Sequence, residues 1–215
     1  MAVNRLHAFA EGLALSPPER MTYLPPDHPH HALSKSVWDA FRAAAIISDE
    51  ALLGVDAWPI NLSADPSNIV IGARTVVRGI IRVERGGHVR VADRCYIGDD
   101  TILSAHRAIE IESDVLIAHG CQIFDNTTHP IDAIDRSVHY EHILAGRAYD
   151  GDIPAQPIVI LRGAWIGMNC IIMRGVRIGA RSIIAAGSVV VDDVPADTTA
   201  AGNPARFIKS SLWYL

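Results

Sequence analysis

The sequence is poor in the features that mark several common classes of protein. Phe, Trp and Tyr make up only 6% of its 215 residues. No apolar run approaches the length of about 20 residues that a membrane-spanning helix needs. The first residues also lack the charged-then-apolar pattern of a secretory leader. We therefore expect a cytoplasmic protein with no membrane span.

Basic charge is also scarce. There are 19 Lys and Arg residues against 24 Asp and Glu residues, which gives a formal net charge of −5. Charges of both signs are scattered along the chain rather than gathered into a patch. Since nucleic-acid-binding proteins carry basic patches or stripes, we expect no nucleic-acid partner.

What the sequence has instead is an aliphatic residue at every sixth position over a long stretch. The members of the unbroken series are Ile160, Ile166, Ile172, Ile178, Ile184 and Val190. A period of six fits neither the 3.6-residue turn of an α-helix nor the two-residue alternation of a strand. It is typical of a parallel β-helix, in which short strands stack on the coil below.

The three cysteines fit the same pattern. Cys95, Cys121 and Cys170 all fall at the small place that follows an aliphatic member of the series by four residues. We interpret them as core residues. An odd number of buried thiols indicates a reducing compartment.

The rhythm starts earlier, with slips of two residues. Its earlier members are Ile71, Val77, Val83 and Val89, then Val91, Ile97, Leu103 and Ile109, then Ile111, Ile117 and Ile123. We interpret each slip as a small corner insertion within a coil. The next place in the series, where an inward aliphatic is expected, is His129, and Pro130 follows it.

These patterns predict three regions. Residues 1–59 form an N-terminal capping region with a helix over about residues 36–47, because Trp38, Phe41 and Ala45 share a helical face. Residues 60–209 form the β-helix domain, interrupted by a loop insertion at 131–157, and residues 210–215 form a tail. Long loops without structure of their own are usually functional or disordered, and this one follows His129, so we expect function.

Other histidines have weaker signals. The segment Asp27-His-Pro-His-His31 has no Cys or carboxylate framework, so we interpret it as a solvated loop and expect no metal. His106 and His119 are expected on the surface or in a groove. His139 and His142 lie in the insertion and are expected to be solvated or to face substrate.

Three features together resemble a known family. They are the hexad stack, the segment Asp125-Asn-Thr-Thr-His-Pro130, and Ala200-Ala-Gly-Asn-Pro-Ala-Arg206 after the last coil. The combination resembles the left-handed β-helix acyltransferases, specifically sugar O-acetyltransferases of the galactoside, maltose and capsule-polysaccharide type. The resemblance implies an all-β left-handed parallel β-helix and a homotrimer. It also implies acetyl-coenzyme A as co-substrate and a sugar or polysaccharide-precursor hydroxyl as acceptor.

The resemblance also implies roles for single residues. His129 takes the place of the general base, and Asp100 aligns with an asparagine that faces the sugar in galactoside-acetylating relatives. Asp125 or Asn126 orients the imidazole or holds the sugar. The residues implied to contact coenzyme A are Trp165, Met168, Ala186, Gly187 and Arg206.

The donor end departs from the family pattern. Relatives often carry Thr-Lys where this chain has Val191-Asp192, with the lysine near the phosphates of coenzyme A. Arg181 or Arg206 is left to make that contact.

A histidine suits the implied chemistry. A hydroxyl is a poor nucleophile at neutral pH and must lose its proton as it attacks the thioester. Histidine, which ordinarily titrates near about pH 6.5, can accept that proton, and such a base contributes about 10²–10⁴ in rate.

Three alternatives remain open. γ-Class carbonic anhydrases share the β-helix but bind zinc through a His-x4-His pattern, which is absent from this sequence. A non-enzymatic β-helix scaffold would need neither His129 nor the insertion. An antibiotic acetyltransferase would also place a histidine near a loop, and only its acceptor would differ.

Overall fold

A computed structural model describes residues 31–84 and 86–210, and it begins with a helix. Helix α1 (His31–Ala44) buries Val37, Trp38 and Phe41 against the first coil. The predicted helix at 36–47 is therefore correct in type, but it starts earlier and ends earlier because Ile46 and Ile47 form a strand. Residues 27–30 of the histidine-rich segment lie outside the described residues.

Three parallel sheets form the sides of a triangular coil. Sheet A contains β1 (Ile46–Ile47), β4 (Ile69–Ile71), β7 (His88–Val91), β10 (Ala108–Ile111), β13 (Ile158–Ile160) and β16 (Arg177–Ile178). Sheet B contains β2 (Leu52–Leu53), β5 (Val76–Val77), β8 (Tyr96–Ile97), β11 (Leu116–Ile117), β14 (Trp165–Ile166), β17 (Ile183–Ile184), β19 (Thr198–Gly202) and β20 (Ala205–Ser210). Sheet C contains β3 (Trp58–Asn61), β6 (Ile80–Val83), β9 (Ile102–Ala105), β12 (Gln122–Phe124), β15 (Ile171–Ile172) and β18 (Val189–Val190).

The chain visits the sheets in the order A, B, C and then climbs to the next coil. Strands β1 to β18 pair in parallel with the coils above and below, and an antiparallel hairpin of β19 and β20 ends sheet B. The predicted all-β parallel β-helix is confirmed. The first coil starts at β1, so the predicted start of the β-helix at residue 60 is too late.

The core is the column of hexad aliphatics. All six members of the series from Ile160 to Val190 are buried, and each is in register with its counterpart one coil away, as Ile166 is with Ile184. The three cysteines are buried in the same column, as predicted. Burial raises the pKa of the Cys95 thiol to about 11, which keeps it protonated as a core residue.

The slips of two residues lie where sheet C leads into sheet A. Strands β6 and β7 are four residues long, and each places two side chains inward: Ile81, Val83, Val89 and Val91. The extra pair lengthens the strands on both sides of one corner. Each slip is thus accommodated within a coil.

The outer faces of the sheets differ in polarity. Sheet A carries charged side chains such as Arg90, Glu110 and Arg177 outward. Sheet B carries an outward column of mainly apolar side chains in register: Leu52, Val76, Tyr96, Leu116, Trp165 and Ile183. Leu116 and Trp165 are 50% and 51% exposed. Within residues 31–84 and 86–210, no helix has the length and apolar character to cross a membrane.

Candidate active site

The insertion leaves the β-helix after β12 through a narrow neck. Asn126 and Ala155 form an antiparallel bridge. The main-chain N–H of Gln156 donates to the carbonyl of Asp125 at 2.7 Å, and that of Thr127 donates to Pro154 at 3.1 Å. The neck lies at the corner between sheet C and sheet A, which we call the C–A edge. Residues 128–153, which lie between the two hydrogen-bonded segments of the neck, can therefore fold outside the coil without disturbing it.

The insertion contains a helix, contrary to the predicted loop without structure. Helix α2 (Ala133–Leu144) begins after Asp132, whose carboxylate accepts the N–H groups of Ile134 and Asp135 at 2.8 and 3.1 Å. These bonds lower the pKa of Asp132. An aspartate cap followed three places later by an acidic residue is a helix-start signal, so the sequence did contain a sign of α2.

Helix α2 folds back over the segment that carries His129. The guanidinium of Arg136 donates to the carbonyls of Pro130 and Ile131 at 3.2 and 2.8 Å. This contact fixes the first turn of α2 against the His-Pro pair. The next turn of the helix then lies beside the imidazole of His129.

His129 lies in a tight turn at the C–A edge, and its side chain is exposed. Its N–H donates to Thr127 at 2.7 Å, and the Thr127 hydroxyl donates to the carbonyl of His129 at 2.7 Å. Thr128 between them has a positive φ of 60°. The prediction that His129 occupies an inward hexad place is wrong, because the chain has left the coil before reaching it.

Asp125 and Asn126 both form hydrogen bonds that support this turn. Asp125 is fully buried, and its carboxylate accepts three main-chain N–H groups of the coil below, at 2.7–2.8 Å, from His106, Arg107 and Ala108.

Asn126 is also buried and fully bonded. Its amide donates to Ser104 and Asp125, and its side-chain oxygen accepts the N–H of Thr128 at 2.9 Å. Both side chains thus have partners within the fold, and their predicted role toward the imidazole or the sugar stays a prediction.

His129 belongs to a cluster of rings. Its Nδ1 lies 3.3 Å from Nδ1 of His139, which α2 contributes. His139 is only 8% exposed, and its ring stacks on Tyr149 with the ring centroids 4.6 Å apart. His142 contacts the same tyrosine edge-on, and its Nδ1–H donates to the carbonyl of Ala148 at 2.7 Å.

The cluster favours a neutral His139. Burial lowers the pKa of its imidazole, and three neighbouring rings lower it further: those of His129, His142 and His106. Burial also lowers the pKa of His106 on the coil below. His139 is therefore not solvated, because α2 packs its ring against His129 and Tyr149. The alternative expectation, that it faces substrate, stays a prediction.

Most residues predicted to contact coenzyme A gather elsewhere, along the corner between sheets B and C, which we call the B–C edge. Successive turns stack there through main-chain bonds from Gly120 to Asp99, from Asn169 to His119 and from Gly187 to Met168, at 2.8–2.9 Å. Asp100 lies in the lowest of these turns. Met168, Ala186 and Gly187 lie in the upper two, and all three are exposed.

The remaining two residues lie on sheet B. Trp165 projects outward from β14, and Arg206 lies on β20. The guanidinium of Arg206 donates to the carboxylate of Asp192 at 3.2 Å. Arg181, the alternative phosphate contact, pairs with Asp197 through two bonds of 2.6–2.7 Å. Both arginines therefore have a carboxylate beside them.

The structure thus brings three of the five predicted donor residues together but separates them from His129. Met168, Ala186 and Gly187 line the B–C edge, whereas His129 lies on the C–A edge, with the outer face of sheet C between them. Within the part of the chain that the structure describes, no three His, Cys, Asp or Glu side chains converge as metal ligands would.

Comparisons with known proteins match this architecture. The family described as "Bacterial transferase hexapeptide (six repeats)" matches residues 157–192. The crystal structure of VCA0836 from Vibrio cholerae, a hexapeptide-repeat-containing acetyltransferase, is 34% identical, with a TM-score of 0.55. The match covers 65% of this chain and 72% of that one. AntD from Bacillus cereus is an N-acyltransferase solved with dTDP and 3-hydroxybutyryl-CoA. It is 17% identical, with a TM-score of 0.63, and the match covers 80% of this chain and 87% of that one. At this level of identity the likeness shows the fold alone.

Two further relatives match shorter parts of this chain. YJL218W of Saccharomyces cerevisiae, itself only proposed to be an acetyltransferase, is 35% identical over 124 residues, which cover 58% of this chain and 57% of that protein. A 2,3,4,5-tetrahydropyridine-2,6-dicarboxylate N-acetyltransferase of Staphylococcus aureus is 44% identical over 73 residues, which cover 33% of this chain and 30% of that enzyme. The matched part of this chain therefore spans a little more than half the length of YJL218W and less than a third of the length of the Staphylococcus aureus enzyme.

Proposed function

This chain belongs to the hexapeptide-repeat transferase family, and from that premise we propose that it transfers an acetyl group from acetyl-coenzyme A to a hydroxyl of a sugar or polysaccharide precursor. His129 is the general base. The observation that carries this proposal is the exposed imidazole of His129, fixed by a tight turn and by contact with His139.

The chemistry requires one proton to move twice. Nε2 of His129 accepts the hydroxyl proton as the acceptor oxygen attacks the thioester carbon. The C–S bond then breaks, and the thiolate of coenzyme A takes the proton from His129. Atoms and charge balance without a metal or a redox partner. A positioned base of this kind contributes about 10²–10⁴ in rate.

The B–C edge and the adjoining end of sheet B form the donor site in this proposal. A Cβ atom built on Gly187 would meet nothing within 4 Å, and its φ is +73°, so its main chain is open to a ligand. Met168 and Ala186 expose their side chains beside it. These features fit the pantetheine arm, and Arg206 provides a positive charge for the nucleotide end.

A homotrimer completes the site. His129 and the donor residues lie on different edges of one chain, so a neighbouring copy has to supply one of the two groups at each site. The exposed apolar column on sheet B, with Leu116 and Trp165, supports contact between copies. In a closed ring of three chains, each copy offers two different surfaces to its neighbours, and the ring contains three equivalent sites, one at each interface.

An amine acceptor is the second candidate. The N-acetyltransferase of Staphylococcus aureus and the N-acyltransferase AntD are both similar to this chain. The same histidine would take the proton released as an amine attacks.

The three buried free cysteines favour a cytoplasmic location for either reaction.

A paired acceptor panel tests the proposal. Acetyl-coenzyme A is mixed with matched hexoses and amino-hexoses, and thiol release is recorded against a no-acceptor control. Products are then treated with hydroxylamine, which cleaves esters and leaves amides intact. Thiol release with a hydroxylamine-labile product supports O-transfer, and a resistant product supports N-transfer. No thiol release with any acceptor contradicts both.

A further inference from the structure

The contact between His129 and His139 can hold only one proton. The two Nδ1 atoms are 3.3 Å apart, and their rings are inclined at 54°. A hydrogen bond between two imidazole nitrogens needs one N–H donor and one lone pair. The direction of the bond therefore fixes the tautomer of each ring.

Only one of the two directions leaves His129 able to act as a base. If His139 donates, Nδ1 of His129 uses its lone pair and the neutral ring carries its proton on Nε2. If His129 donates, Nδ1 carries the proton and Nε2 keeps its lone pair. Nε2 of this exposed residue can then accept a proton from an acceptor group.

The surroundings of His139 keep it neutral and in place. Its ring is buried between His129 and Tyr149, with the two ring planes of His139 and Tyr149 inclined at 29°. A charged ring there would lie among other imidazoles: His106 from the coil, His142 from α2 and His129 from the turn. Beyond these rings, Glu84 and Asp125 lie near His106. Burial and the adjacent rings lower the pKa of His139 and favour its neutral form.

We propose that His139 is a positioning residue, which accepts the Nδ1–H of His129 and so keeps the Nε2 lone pair of His129 directed outward. This inference rests on the proposed role of His129 as the base. As His129 takes a proton on Nε2, it becomes a cation with protons on both nitrogens. His139 stays neutral and continues to accept the Nδ1–H, which stabilises that cation.

The structure explains why the partner lies in the insertion. His129 is exposed, and within the described residues its ring bonds to His139 of α2 rather than to the coil. Helix α2 brings this partner, and the bonds from Arg136 to Pro130 and Ile131 fix the helix over the turn. The insertion then serves the reaction through the orientation of the base as well as through any contact with the acceptor.

The test uses two variants of His139 in the full-length chain. His139→Phe keeps a ring against Tyr149 but removes the acceptor, whereas His139→Asn keeps an acceptor oxygen near the place of Nδ1. His88→Asn, on sheet A, is the matched control. Turnover should fall about 10–100-fold in His139→Phe, by analogy with groups that orient metal-bound histidines. Turnover in His139→Asn should return most of the way to the native value. The Michaelis constant for acetyl-coenzyme A should be unchanged in both variants.

Two further readouts separate positioning from a loss of structure. In His139→Phe the acid limb of the pH–rate profile should move to lower pH, because the His129 cation has lost its acceptor. In nitrogen-15 spectra of the resting protein, His129 should be the Nδ1–H tautomer in the native chain and in His139→Asn, but not in His139→Phe. This spectrum needs no acceptor and no turnover.

The outcomes distinguish a failure of the positioning role of His139 from a failure of the proposed role of His129. Native turnover and an unmoved acid limb in His139→Phe, or an Nε2–H tautomer of His129 in the native chain, would overturn the role of His139 alone. His129→Ala, measured in parallel, tests the base itself. If that variant keeps full turnover, His129 is not the base and the inference about His139 fails with it, whereas absence of thiol release from the native chain with every acceptor would refute the proposed function itself.

Discussion

The carboxylate of Asp125 accepts the main-chain N–H of Arg107 at 2.7 Å, across one coil of the β-helix. The same carboxylate accepts the N–H groups of His106 and Ala108. It thereby joins the neck of the insertion to the corner below. The turn that carries His129 starts from this fixed point.

Asp125→Ala should lower the free energy of unfolding by about 2–5 kcal/mol, because three main-chain donors lose a buried, charged acceptor. Asp125→Asn keeps one oxygen and should lose less. Asp150→Ala, an exposed change within the insertion, is the control. Denaturant unfolding followed by circular dichroism measures all three. A native midpoint for Asp125→Ala would show that the carboxylate does not hold the corner.

The coil was predictable because one physical constraint repeats along it. A narrow core accepts one aliphatic per side, so members such as Ile166 and Ile184 repeat at every sixth place and stack in register. The cysteines followed from the same constraint, since Cys121 and Cys170 occupy its small places and are buried.

The surroundings of His129 were less predictable because they depend on contacts between distant segments. The six-residue count extended the series of inward residues to His129, but the chain already leaves the coil at Asp125. The packing of His139 depends on how Arg136 seats α2, which no local pattern encodes. The grouping of Met168 and Gly187 on a different edge from His129 follows from counting corners, once the insertion is known to be outside the coil.

Acid should loosen helix α2. The pKa values of His139 and His106 are lowered in the folded protein, mainly by burial. Below the ordinary histidine value of about 6.5, the opened state therefore binds more protons than the closed one. The stability of the closed insertion should then rise with pH between the lowered pKa values and about 6.5, fall as pH drops through this window, and level off below it.

Hydrogen exchange of the α2 amides at pH 7 and pH 5.5, corrected for the intrinsic rates, measures this effect. Protection should be lower at pH 5.5. The difference should shrink in His139→Asn, which removes one of the two titrating groups. Protection that increases with acid would contradict the direction of both shifts.

Asp192 should weaken donor binding. It lies 3.2 Å from Arg206 and reduces the positive charge available to an anionic nucleotide. Asp192→Asn should tighten coenzyme A binding, and Arg206→Ala should weaken it, each by about 1.4- to fivefold for an exposed pair. Asp56→Asn, on the first coil, is the control, and calorimetry at two salt concentrations is the measurement. Equal affinities in all variants would remove Arg206 from the donor site.

A site shared between copies predicts complementation. His129→Ala disables the C–A edge, and Ala186→Glu places a negative charge on the B–C edge. Each variant alone should be inactive, but in randomly mixed trimers about a quarter of the sites combine two intact edges. Co-expression with two affinity tags, followed by thiol-release assays, measures this recovery. Ala43→Glu, on helix α1, controls for the added charge. No recovery in verified mixed trimers would mean that each site lies within one chain.

The most direct test of the account is the turnover number of His129→Ala with the best acceptor from the panel. His129 is exposed and lies outside the hydrophobic core, so the variant should keep its fold, its assembly and its affinity for coenzyme A. Turnover should fall about 10²–10⁴-fold, as expected when a general base is lost, while His88→Ala stays at the native level. His129→Asn should fall nearly as far, because an amide cannot take the proton. Near-native turnover in His129→Ala would contradict the assignment of the base and the mechanism built on it.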